Sequence, residues 1–209
     1  VTYFNVDTPD NKEIKLSYLT KQGDTIKSFT TKGNKEKNNK LEVKKGSNVH
    51  SWNMRGDGAE RLKGMILWWA STAAPMAVPG EYQVVLSVDG EDYGTPFNII
   101  ADVNSETDLA GMQRQFDFIT DVNNTVDKAH KSIKKIRNIN SQLEAFQEQY
   151  KDDDAIKDLV DRAKELSESF SEIEKALYQT KNRSGQDPLN FPIRLTNKLA
   201  HLNSLVGMD

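Results

Sequence analysis

Three histidines, His50, His130 and His201, are the side chains best suited to move a proton near neutral pH. None has a second histidine or a carboxylate at metal-binding spacing, and no HExxH string occurs. His50 falls on the polar phase of a strand-like run and the other two on helical runs, so all three read as surface histidines. The run Asp152–Asp153–Asp154 gathers the oxygen ligands that hard cations favour, but it lacks the glycine and spaced ligands of a calcium loop and reads as a helix cap. Glu144 with Glu148, and Glu165 with Glu168, share a polar helical face, whereas a glycosidase pair needs its carboxylates across a cleft. Cysteine is absent, which removes thiol nucleophiles, disulfides and Cys-ligated metals. Gly56 and Gly58 lie in an RGDG turn rather than a phosphate loop, and the RGD string alone is too short to assign integrin adhesion. The expectation is no catalytic residue, no cofactor and no metal.

Two groups of residues are suited to contact instead. Trp68 and Trp69 are adjacent, so on a strand one enters the core and the other faces outward, where it can stack on a sugar ring or seat a neighbouring domain. The loop from Asn182 to Phe191 holds Arg183, Gln186, Asp187 and Asn190, all capable of directional hydrogen bonds. Asp187–Pro188 and Phe191–Pro192 are good turn and helix-start chemistry, so a structural role for this loop is the stronger reading and ligand or partner contact the alternative.

These groups sit on two kinds of element, with a seam near Asp102–Ser105. The chain has 209 residues, 28 of them basic and 31 acidic, for a net charge of −3, which leaves no global field to attract nucleic acid. No apolar run reaches the ~18 residues of a membrane span. Before the seam, apolar residues alternate in short runs: Ile14, Leu16 and Tyr18; then Thr25–Thr30 with Ile26 and Phe29 inward; then Ser47–Arg55 with Val49, Trp52 and Met54 and a bulge. Lys32–Lys40 reads as a solvated, mobile loop, Met65–Trp69 as a short buried strand, and Ser71–Val78 as a loop broken by Pro75. Tyr82, Val84, Leu86 and Val88 form the clearest strand. Asp89–Gly90 then turns it into Glu91–Ile100. Seven or eight strands at this spacing predict an immunoglobulin-like antiparallel β-sandwich over residues 1–102.

After the seam the spacing is helical. Ser105 with Asp108 opens a helix of about 40 residues, ~60 Å long, carrying Phe116, Ile119, Val126, Ile133, Ile136 and Phe146 on one face. Such a helix needs a partner along its length. A second stripe runs from Ile156 to Leu177 and a third from Ile193 to Leu202. Residues 103–209 therefore predict an antiparallel three-helix bundle with helices at about 106–150, 153–181 and 192–205, and the fold class is α+β in two domains. An a/d stripe serves a bundle or a coiled coil equally, so the oligomeric state stays open. No signal peptide precedes Val1, which reads as a processing site or a boundary within a longer chain.

Four segments together resemble a known group: Leu41–Arg55 with its Lys44-Lys45-Gly46, Asn48, Trp52 and Met54-Arg55; Pro79–Leu86 with Pro79-Gly80, Tyr82, Val84 and Leu86; GMILWWAST at 64–72; and ALYQTKNRSGQDPLNFPIRLTNKLA at 176–200. They are similar to the C-terminal region of secreted bacterial proteins with sortilin-type, BNR-repeat β-propellers, labelled glycosyl hydrolases. The first half is also similar to the Ig-like module of flagellar hook-capping proteins. The resemblance implies that any hydrolytic site lies in an upstream propeller, since no Asp-box repeat occurs in this chain. It implies a non-catalytic accessory module of an exported protein, in the periplasm, on the outer surface or extracellular. Its partners would be the propeller of the same chain and a glycan or cell-envelope component. A carbohydrate-binding module using an outward tryptophan is the alternative.

Overall fold

The computed structural model describes residues 1–7, 12–34 and 38–207. Among the described residues it is an α+β chain of six strands and three α-helices. The charged stretch expected to be a mobile loop falls in part outside the described residues, at 35–37. Two compact units are present, residues 1–57 with 74–117 and residues 58–73 with 118–209. The second unit thus takes residues 58–73 out of the expected sandwich half.

In the first unit, β1 (Thr2–Val6) pairs antiparallel with β4 (Gly46–His50). A separate antiparallel sheet has the order β3 (Thr25–Thr30), β2 (Ile14–Thr20), β5 (Gly80–Val88), β6 (Glu91–Ile99). The β5–β6 turn is made by Asp89 at φ 51° and Gly90 at φ 88°, the left-handed pair that matches strand twist. Register places Leu16 opposite both Phe29 and Leu86, and Ile14 opposite Val88, so one face of the sheet is apolar. That face, with Val6 and Leu41, forms the core, and Phe4, Trp52 and Phe97 pack against it. Tyr18 sits at its centre, with Trp52 stacked on it at 4.3 Å and 16°. Its hydroxyl meets Thr2 Oγ1 at 2.9 Å, and burial raises the phenol above its ordinary value.

Three sequence expectations change here. In β3 the inward residues are Lys27 and Phe29, not Ile26, because pairing with β2 sets Lys27 opposite Tyr18. The buried Lys27 ammonium is satisfied by the Asp57 carboxylate and lies 5.7 Å from the Phe29 ring centre. Val49 faces outward at 61% exposure, because Asn48 turns inward. The Asn48 amide accepts from Lys44 N and donates to Lys44 O and Gly46 O, each at 2.8 Å. Finally, β4 stops at His50 rather than running to Arg55. Met54 adopts φ 59°, and the Trp52 indole N–H donates to Arg55 O at 2.8 Å. Lys44–Arg55 is thus a self-bonded corner, and with Met65–Trp69 not forming a strand six strands are present among the described residues.

His50 faces inward, its ring 4.3 Å from Phe29, with Nε2 unpartnered among the described residues. Burial, with a smaller contribution from the N-terminal ammonium, holds its imidazole below the ordinary value. The folded state therefore binds fewer protons than the unfolded chain. The stabilising contribution is fully present above the unfolded value of about 6.5 and is lost as pH falls through the folded value. Stability to chemical denaturation should fall as the buffer is taken below the ordinary histidine range, and His50→Phe should flatten that fall.

The helix α1 (Leu109–Tyr150) begins three residues later than expected, because Asp108 is the cap: its Oδ1 accepts from Gly111 N at 2.7 Å. Residues 109–117 of α1 belong to the first unit and the rest to the second. Asp153 caps a 3-10 turn at Asp154–Ile156 by accepting from Ala155 N at 3.0 Å, as the aspartate run predicted. This turn leads into α2 (Lys157–Leu177), and α3 (Leu195–Val206) follows the loop. Arg137 Nε meets Glu174 Oε1 at 2.8 Å and Asn140 Nδ2 meets Ser171 Oγ at 3.1 Å. Rising numbers on α1 thus meet falling numbers on α2, and the two helices run antiparallel. No helix among the described residues is long and apolar enough to cross a membrane.

Candidate functional site

The site is built on residues 58–73, which fold against the helices. Ala59 N donates to Thr72 O at 2.8 Å and ties the two ends of the segment together. Apolar anchors hold it: Ala59 packs with Val122, Val126 and Leu199, and Met65 with Ile133 and Tyr178. The segment has no ladder of its own, so its backbone groups must find partners elsewhere. Groups on the helices and at their ends supply them. Tyr178 Oη accepts from Ile66 N at 3.0 Å, and Asn197 both accepts from Trp68 N at 2.8 Å and donates to Trp68 O at 2.9 Å. Further along, His201 Nδ1 donates to Trp69 O at 2.6 Å, and Ala200 O accepts from Ser71 N at 3.0 Å. Asn123 and Asn203 both donate to Ala73 O, at 2.8 and 2.9 Å.

His130 is part of this clamp. It is 1% exposed, which corrects the surface reading, and its Nδ1 donates to Glu60 O. Its Nε2 has no partner among the described residues. Asp127 Oδ1 accepts from Glu60 N at 2.6 Å on the same side.

The clamp carries the tryptophan pair outward. The expected strand would have sent one ring in and one out. Instead the backbone turns at Trp69, which holds φ 46°, and both rings reach the surface, Trp68 38% and Trp69 75% exposed. Their centres lie 6.3 Å apart with planes tilted by 48°. A large apolar ring held in water on strained backbone is costly, and such positions cluster at functional sites. The chemistry available is stacking and apolar burial, with the indole N–H as a donor at the edge.

The loop residues serve a different end. Asp187 accepts from Arg183 N at 2.5 Å, Ser184 N at 2.9 Å and Ser184 Oγ at 3.0 Å. These donors, the Arg183 amide foremost, hold its carboxyl below the usual carboxylate range. The Arg183 guanidinium donates to Thr180 O at 2.7 Å, and Asn190 N donates to Asp187 O at 2.8 Å. Gln186 contributes its carbonyl to Leu189 N at 3.1 Å. The loop therefore closes on itself, with Pro188 buried beneath it. Thr196 Oγ1 donates to Leu177 O at 2.9 Å and docks the start of α3 on the end of α2. Among the described residues the loop and the tryptophan pair share no hydrogen bond or ring contact.

The RGDG string is likewise structural. Arg55 Nη1 donates to Ala74 O at 2.6 Å, Asp57 serves Lys27, and the chain passes from the first unit to the second between Asp57 and Gly58. The positioning residues that the sequence reading missed are Asn123, Asn197 and Asn203, all buried. Their signal was polar residues on otherwise apolar helix faces, Asn123 beside Val122 and Val126 on α1, and Asn197 and Asn203 three residues either side of the fully buried Ala200 on α3. No family model, curated protein or solved structure matches the chain.

Proposed function

We propose that the chain is a non-catalytic accessory module of an exported bacterial β-propeller protein of the kind labelled glycosyl hydrolase. In this reading it comprises an Ig-like antiparallel β-sandwich and an antiparallel three-helix bundle, and its contact surface is the Trp68–Trp69 pair. The observation that supports it is Trp69 itself, three-quarters exposed on left-handed backbone whose carbonyl is bonded to α3. The seat for this ring would be the propeller upstream in the same protein. A carbohydrate-binding role is the second reading, favoured by the tilted pair of exposed rings, which suits the apolar face of a sugar.

Calorimetric titration of the chain with the separately expressed propeller tests the first reading. Saturable association is expected, weakened at least ~10-fold by Trp69→Ala, as for loss of a central aromatic anchor. No heat with the propeller, but saturable heat with soluble oligosaccharides, would move the assignment to the second. Glycosidase turnover by the chain alone would overturn both.

A further inference from the structure

The tryptophan pair does not stand alone on its surface. Trp68 is bonded through its backbone to Asn197 and Trp69 to His201, so the pair lies alongside α3. On that helix Leu195, Lys198, Leu202 and Leu205 follow three- and four-residue steps and form one stripe. The stripe is set away from Thr196, Asn197, Ala200 and Asn203, which are buried. Leu195, Leu202 and Leu205 are 44%, 40% and 54% exposed. His201 falls three residues after Lys198 and four before Leu205, and it holds the Trp69 carbonyl. It thus joins the tryptophan pair to the leucine stripe as one exposed surface.

The extent of this surface selects a protein rather than a sugar. The stripe runs nearly the length of α3, a helix of 12 residues and ~18 Å. A pyranose offers an apolar face to an aromatic ring, but its hydroxyl-bearing edges would lie without partners against leucine side chains. A protein face supplies aliphatic and aromatic side chains over that length.

Charge says which kind of protein face. The two segments that carry the surface, 61–73 and 188–207, hold Arg61, Lys63, Arg194 and Lys198 and no aspartate or glutamate, in a chain whose acids outnumber its bases. The carboxylates that precede each segment are engaged. Glu60 Oε1 meets Lys134 at 3.3 Å, and Asp187 is occupied by Arg183 N, Ser184 N and Ser184 Oγ. The Arg61 guanidinium is turned back onto Met65 O at 3.3 Å. Lys63, Arg194 and Lys198 are exposed and, among the described residues, in no ion pair. A basic partner would meet uncompensated like charge here, whereas carboxylates around an apolar centre would be paired.

Resting on the reading of the tryptophan pair as a contact surface, we propose that its partner is a protein face with an apolar centre and an acidic rim, covering Trp69 and the α3 stripe together. The centre buries Trp69, Leu202 and Leu205, and a rim carboxylate takes Lys198. In that reading the face belongs to the propeller.

Calorimetric titration of the full chain with the separately expressed propeller, at low and at high sodium chloride, tests this, with circular dichroism as the folding control. Wild-type binding should weaken ~10-fold at high salt, which screens the rim charges. Lys198→Glu should weaken binding ~10-fold at low salt and flatten the salt dependence, and Lys198→Arg should stay within ~3-fold of the wild type. Glutamate near the start of α3 suits the helix dipole, so the fold should survive the reversal. Leu202→Ser should weaken binding ~5-fold or more at either salt. Binding that depends on Trp69 but ignores salt and both the Lys198→Glu and Leu202→Ser changes would overturn the acidic face and leave the contact surface standing. No association with the propeller would overturn both. Binding of polygalacturonate, lost in Lys198→Glu, would replace the protein face with an acidic sugar and so overturn the proposal.

Discussion

Gly58→Ala is expected to be the most damaging single substitution in the chain. A Cβ built at Gly58 would stand 2.0 Å from Thr72 O, 2.9 Å from Thr72 C and 3.0 Å from Ala73 Cα, all backbone atoms. No side chain can swing away to make room. Relief requires Thr72 to move, which breaks the Ala59–Thr72 hydrogen bond that closes the segment and drags Ala59 from its place against Val122 and Val126. The cost should be about 3 kcal/mol or more, at the upper end of overpacking effects. Gly185→Ala is the matched control, with nothing within 4 Å of its Cβ and no positive φ, and should be near neutral. Urea denaturation followed by far-ultraviolet circular dichroism, which reports the helices, reads both.

The second large effect is expected at Asn197. Its side chain takes the place of a neighbouring strand for Trp68, accepting from its N–H and donating to its carbonyl. Asn197→Ala leaves both backbone groups without partners, at a cost of about 2–4 kcal/mol for two lost bonds in a part-buried setting. Asn197→Asp separates the two halves of the contact, because a carboxylate still accepts from Trp68 N but cannot donate to Trp68 O. It should fall between wild type and alanine in denaturation midpoint. Hydrogen exchange at the Trp68 amide should accelerate in the alanine variant and much less in the aspartate variant. Equal acceleration in both would show that the amide bond is not what holds the segment.

The contrast between these two positions explains what could be read from the residues alone. Strand β5 and the Asp89–Gly90 turn were plain, because alternation and left-handed turn residues act locally. The three helices were found with ends displaced by a few residues. Asp108 outcompetes Ser105 as a cap, and an extended Arg194 delays α3. Lys27 was missed because a buried lysine is legible only once its register with Tyr18 and its partner Asp57 are known. Met65–Trp69 read as a strand because five apolar residues in a row have no period to distinguish a strand from a buried irregular segment. Its true partners, Tyr178, Asn197, Ala200 and His201, lie more than a hundred residues downstream, and no local signal reaches that far. The tryptophans were expected one inward and one outward, and for the same reason that orientation was misread: both rings are exposed. The Asn182–Phe191 loop fared better, since Asp–Pro turn chemistry is local and Asp187 organises it.

Both substitutions bear on the proposal that residues 58–73 and α3 hold Trp69 exposed as a contact surface for an upstream propeller. The most direct measurement is the fluorescence contributed by Trp69, taken as the difference between the wild type and Trp69→Phe, before and after saturation with the propeller. The account predicts a long-wavelength, solvent-exposed component in the free chain that shifts to shorter wavelength and becomes shielded from acrylamide on saturation. A Trp69 component that is already shielded in the free chain, or one that stays exposed at saturation, would contradict it.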